Sequence, residues 1–157
     1  MIYDILDDLD TLVQDSTNGI NAALTSVNAA KGTSAPAIQE FMTWSHNKLP
    51  SEMTLPTFLQ VYERSYEMEP TGQGKWRGKH IISWQYWAKE TNASQARKDI
   101  TISAHAFRTV VNLIPSECST VDVVLDESIM VSGWQLQGKL YVWMGYTFTV
   151  KERDENP

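Results

Sequence analysis

The hydrophobic positions change period along the chain, and the changes divide it into segments. Ile2, Ile5, Leu6, Leu9, Leu12, Val13, Ile20, Ala23, Leu24 and Val27 recur at steps of three and four, the spacing of one face of an α-helix. Asp4, Asp7, Asp8, Asp10 and Asp15 oppose that stripe, and acid in a first turn also suits the positive end of the helix dipole. Asn18-Gly19 is a weak point, because both residues are poor helix formers, yet Ile2 and Ile20 stay in phase. The spacing predicts one long or kinked helix over residues 1–31, stopped by Lys31-Gly32. Residues 32–54 contain Pro36 and Pro50 and no sustained period; they read as a connector with room for a short helix from Pro36 to Trp44.

From Leu55 the period becomes two. Leu55, Thr57, Leu59 and Val61 share one side, and Phe58, Gln60, Tyr62 and Arg64 the other, which predicts a half-buried strand with Pro56 near its start. Glu69-Pro70-Thr71-Gly72-Gln73-Gly74 predicts a loop. A second strand is expected from Lys79 to Lys89, with Ile82, Trp84, Tyr86 and Ala88 facing one way. Thr91 or Asn92, followed by Gln95, opens a helix whose stripe is Ala93, Ala96, Ile100, Ala104, Phe107, Val110, Val111 and Ile114. Pro115 is expected to end it. Val121, Val123 and Leu125 begin a third strand, Asp126-Glu127-Ser128 interrupts it as a bulge or tight turn, and Ile129 to Trp134 resume it. After a turn at Gln137-Gly138, Leu140, Val142, Met144, Tyr146, Phe148 and Val150 alternate through the longest strand. The prediction is an α+β fold: one mostly antiparallel or mixed sheet of four to five strands, flanked by two long amphipathic helices. A single domain spans 1–157, with its strand-strand-helix-strand-strand core over 55–151 and a flexible charged tail over 152–157.

A chain of 157 residues buries roughly 70% of its unfolded surface, so this core is large enough to be stable alone. The net charge of −6 argues against a surface that neutralises phosphates, although DNA that passes without being bound is compatible with it. Cys118 is the single cysteine, which rules out an intramolecular disulfide and fits a reducing compartment. Met1-Ile2-Tyr3-Asp4 lacks the basic start of a signal peptide, and no run approaches the ~20 apolar residues of a membrane span. The expectation is a soluble protein made in a cytoplasm.

Candidate chemistry is sparse. His46, His80 and His105 are not at metal-ligand spacing from one another or from Cys118, and His105 is expected to flank or pack on its helix. A Cys118–His105 nucleophilic pair requires the two to meet in space. Gly72-Gln73-Gly74-Lys75 departs from a phosphate loop: position 69 is Glu, Trp76 follows the lysine, and a strand comes next instead of a helix. The carboxylates Asp122, Asp126 and Glu127 read as a solvated acidic run. No residue is assigned to catalysis, to a metal or to a cofactor. What stands out is a basic, aromatic stretch in an acidic protein, Lys75, Trp76, Arg77, Lys79 and His80, which suits docking to an acidic partner surface or to phosphate; a solvated hairpin with Trp76 tucked against the sheet fits the same residues.

The Leu55–Arg64 strand, the basic loop with the Lys79–Lys89 strand, the Ala93–Ile114 helix and the closing Val121–Val150 segment, behind an N-terminal helix, resemble the tail-terminator or neck (head–tail completion) proteins of tailed bacteriophages. The resemblance is one of layout over most of the chain, and the long connector departs from it. It implies a non-enzymatic virion protein, assembled in the host cytoplasm into a ring, commonly a hexamer, at the tail or neck. Its partners would be its own copies, the tail-tube protein and the neighbouring head–tail connector, with DNA as passing cargo and no membrane. Two other readings stay open: a small-molecule-binding domain or small enzyme with a pocket lined by Trp84, Tyr86, Trp143 or Tyr146, and an adaptor acting through the acidic first helix.

Overall fold

A computed structural model describes residues 2–44, 52–70, 76–90, 93–136 and 138–153. The first helical stripe forms two helices, α1 (Ile2–Gln14) and α2 (Ile20–Lys31), instead of one. The Asp15 carboxylate breaks it by accepting from the backbone N–H groups of Asn18 at 2.7 Å and Thr17 at 2.8 Å, an Asx turn that competes with the helical ladder. Those two donors hold the Asp15 carboxyl below its ordinary range. Gly19 then passes so close to the preceding turn that a Cβ there would meet the Asp15 carbonyl and lie 2.6 Å from the Val13 carbonyl oxygen. Gly32 ends α2 as expected, with a φ of 65° and its N–H bonded to the Asn28 carbonyl.

The expected short helix from Pro36 to Trp44 is replaced by an extended segment and a strand, β1 (Glu40–Trp44). Two asparagines on α2 hold the approach. Asn28 donates to Ala35 O at 2.9 Å and accepts from Ala35 N at 3.0 Å. Asn21 does the same with Ile38, at 3.1 and 2.7 Å. Each side-chain amide thus supplies the two hydrogen bonds that a neighbouring strand would give, so the extended form leaves no backbone group at these residues unmet.

The remaining elements are β2 (Thr57–Pro70), β3 (Trp76–Glu90), α3 (Ala93–Glu117), β4 (Val121–Leu136) and β5 (Lys139–Glu152). They form a mixed five-stranded sheet in the order β1-β2-β3-β5-β4. β1 runs parallel to β2 and all other pairs are antiparallel. The α+β architecture is therefore as expected, with three helices among the described residues in place of two long ones. β2 and β3 extend further than their alternation indicates. Glu69 pairs with Arg77 and Pro70 with Trp76, so the first two residues of the predicted loop at 69–74 are strand, and 71–74 lie outside the described residues. α3 runs through Pro115 to Glu117; in a last turn the proline removes one hydrogen bond without blocking a following turn. Tail residue Arg153 is anchored too. Its backbone N–H bonds Thr120 O at 2.8 Å, and its guanidinium reaches the carbonyls of Pro115 and Val121, both at 2.8 Å.

One face of the sheet carries Phe58, Ile82, Trp84, Tyr86, Ala88, Val142, Met144, Phe148 and Val150, which join the apolar stripes of all three helices in one cluster. Trp84 is its hub, in edge-to-face contact with Phe148 at 4.9 Å, Phe58 at 5.6 Å and Phe107 at 6.3 Å. Its indole N–H is met inside the core by Gln60 Oε1 at 2.9 Å, while Gln60 Nε2 donates to the Leu6 carbonyl of α1 at 3.1 Å.

Gln60→Leu strands the Trp84 indole N–H and should cost about 1–3 kcal/mol; thermal melting should fall by roughly 2–12 °C. Gly19→Ala forces a Cβ against backbone that cannot rotate away. It should lower the melting midpoint by a similar amount, whereas Gly32→Asn, which tolerates the left-handed conformation, should shift it much less.

Candidate functional surfaces

The basic stretch does not form one exposed patch. Lys75 lies outside the described residues, and Trp76 and Arg77 open β3 opposite Pro70 and Glu69. Lys79 is half-buried within the ladder, between Tyr66 and Lys151. His80 is turned inward and only 5% exposed. Its Nε2 lies 2.7 Å from Glu152 Oε1 and its Nδ1 3.4 Å from the Tyr62 hydroxyl, while Glu152 Oε2 accepts from Gly78 N at 3.2 Å. His80 thus ties β2, β3 and β5 together and offers no side chain to a partner. The sequence signal was available in retrospect: His80 keeps step with Ile82, Trp84 and Tyr86 on the core side.

The other titratable candidates stay apart. His46 lies outside the described residues, and His105 is exposed on α3. Cys118 follows the end of that helix and is 1% exposed. Thirteen residues of helix separate the two, about 20 Å, so they form no nucleophilic pair. Burial, with the nearby carboxylates of Asp8 and Glu117, pushes the Cys118 thiol up to about 12. The bulge expected at Asp126-Glu127-Ser128 is present: the register slips between Leu125 and Ser128, and Asp126 has a φ of 55°. The slip brings the Glu127 carboxylate to the Tyr146 hydroxyl at 2.6 Å. Burial and then this bond push the tyrosine pKa up. Among the described residues no group of three or more His, Cys, Asp and Glu side chains could hold a metal, and no helix is long and apolar enough to cross a membrane.

Of the four residues proposed for an aromatic pocket, Trp84 and Tyr86 are 0% exposed in the core, and Trp143, paired with Trp87, lies on the sheet face away from Tyr146. Tyr146 lines a cavity of about 500 Å³ with Arg108, Glu127, Ser128 and Ile129. The acidic first helix is part of the fold: α1 sends Ile5, Leu6, Leu9, Leu12 and Val13 into the core, its Asp8 accepts from Thr120, and Asp4 and Asp7 stay exposed.

Two surfaces remain. The first is β4, the outer strand of the sheet. Its first half carries Asp122, Asp126, Glu127 and two register slips, which are devices that keep an edge from pairing with other strands. The second half, Ser128 to Leu136, has no charged residue and no proline. Here Ile129 and Val131 on the helix side are 51% and 53% exposed, and Met130 on the opposite side is 68% exposed. Apolar side chains are thus exposed on both faces of a strand whose outer edge has no partner strand among the described residues.

The second is a cleft of about 620 Å³ at the end of the sheet where α3 begins. Asp99 and Gln95 of α3, Lys89 of β3, and Lys139 and Tyr141 of β5 supply its polar groups; Met53, Leu55 and Pro56 supply an apolar wall. A smaller cavity of about 180 Å³ adjoins it, sharing Ser34, Gln95 and Asp99 and adding Lys98.

No family model matches the chain, and no curated protein is significantly similar to it.

Cys118 should resist thiol reagents at pH 9 while the protein is folded and react on unfolding. A thiol held up in the fold contributes stability that is intact below the ordinary cysteine pKa, ~8.5, and is lost as pH rises toward about 12. Wild type should therefore lose more stability than Cys118→Val over that interval, measured by denaturant unfolding at each pH.

Proposed function

We propose that this protein is a non-enzymatic structural subunit that assembles with its own copies, in the manner of the tail-terminator and neck proteins its layout resembles. In that role it forms a ring at the tail end or head–tail junction of a tailed-phage virion, caps the tail tube, contacts the neighbouring connector, and lets DNA pass. The observation that supports this reading best is the unguarded half of β4. A strand with an open hydrogen-bonding edge and Ile129, Met130 and Val131 exposed on both faces is suited to pairing with another chain. The sheet also ends in two different edges, β1 and β4. A head-to-tail contact needs two different surfaces, and such contacts give a ring when the rotation between copies closes. The net charge of −6 agrees in sign with a lumen that repels DNA and lets it slide.

Native mass spectrometry at rising protein concentration tests the proposal. Oligomers should grow in with concentration, and Met130→Lys combined with Val131→Lys should return the protein to monomer with its melting temperature little changed, since both side chains are mostly exposed. A wild type that stays monomeric at high concentration and binds no tail-tube subunits would overturn it.

A further inference from the structure

The cleft at the start of α3 is built with both signs of charge. Asp99, on the second turn of that helix, is 3% exposed and lines both the larger cavity and the smaller one beside it. Gln95 Nε2 donates to its Oδ1 at 2.8 Å. Among the described residues no second hydrogen bond or ion pair reaches this carboxylate. A carboxylate accepts several hydrogen bonds, and the Asp99 carboxylate keeps access to the cavity it lines. A cationic donor in the cavity would meet it directly.

Lysines stand around the same space. Lys89 and Lys139 line the larger cavity and Lys98 the smaller; all three are exposed. None has a carboxylate partner among the described residues, although the chain carries 19 acidic residues against 13 basic ones. Tyr141, Met53, Leu55 and Pro56 line the same cavity and offer apolar contact. The volume falls within the roughly 300–1,000 Å³ of small-molecule sites.

We infer that this cleft binds a small zwitterion of the amino-acid or short-peptide class, with its ammonium group on Asp99, its carboxylate on Lys89 and Lys139, and an aliphatic side chain against Met53 and Leu55. Such a ligand adds hydrogen bonds to the carboxylate and neutralises lysines that have no carboxylate partner among the described residues. The site is formed within one chain, although Lys139 and Tyr141 pair with Leu136 and Trp134 at the end of β4.

Calorimetric titration of the full chain with leucyl-leucine, its N-acetyl form and its C-terminal amide tests this. The free dipeptide should bind saturably. Acetylation and Asp99→Asn should each weaken it about tenfold or more through the ammonium contact, and amidation and Lys139→Met should do so through the carboxylate contact. Asp99→Asn keeps an acceptor for Gln95, so its melting curve separates lost binding from lost folding; if it unfolds, exposed Lys139→Met and the two capped peptides carry the test. Absence of binding up to about 10 mM, or equal affinity for the free and capped peptides, would overturn the inference.

Discussion

The buried amide of Gln60 holds the two layers of this protein in register. It accepts from the Trp84 indole on one side and donates to the Leu6 carbonyl of α1 on the other. Without it, the widest ring in the core would carry an unmet donor, and α1 would lose the hydrogen bond that ties its Leu6 carbonyl to β2. Hydrophobic burial favours covering the sheet but is indifferent to small slides of the cover. A hydrogen bond between a sheet side chain and one particular helical carbonyl is not. Trp84 then passes that position to Phe58, Phe107 and Phe148 through edge-to-face contacts, which fixes α3 against the same point.

The strands were legible because their alternation is strong. Phe58, Gln60, Tyr62, Ile82, Trp84, Tyr86 and Ala88 sit on the faces their spacing indicates, and the β4 bulge could be read from Asp126-Glu127-Ser128. Three features escaped for physical reasons. The helix break depends on a side chain, Asp15, capturing N–H groups that period analysis assigns to the ladder. β1 depends on Asn21 and Asn28, whose contribution exists only once α2 is formed beside the connector. His80 looked like part of a basic surface because charge type is visible in sequence while facing is decided by its step with Ile82 and Trp84. The cleft was not legible at all, since Asp99, Lys89 and Lys139 come from separate elements.

The two halves of β4 are treated differently. The half with acids and register slips is protected against stray pairing; the half from Ser128 to Leu136 is not. An unprotected edge is a hazard in a free monomer, and its confinement to one half of one strand is what gives the assembly reading its location. His80 and Glu152 have a complementary effect. They lock β2, β3 and β5 together at the opposite end from the β4–β5 turn, so the sheet can stay rigid there while an apolar edge remains open elsewhere.

Asn21 and Asn28 stand seven residues apart, close to two turns of helix, and each clasps one backbone unit of an extended chain. α2 therefore works as a ruler. Its two clasps set both the direction and the phase in which the connector reaches β1, and with them which side chains of Glu40–Trp44 face the core. Removing one residue between the asparagines would swing one clasp by about 100° around the helix, leaving the other to hold the strand alone. Length variation should thus be tolerated on either side of this segment but not within it.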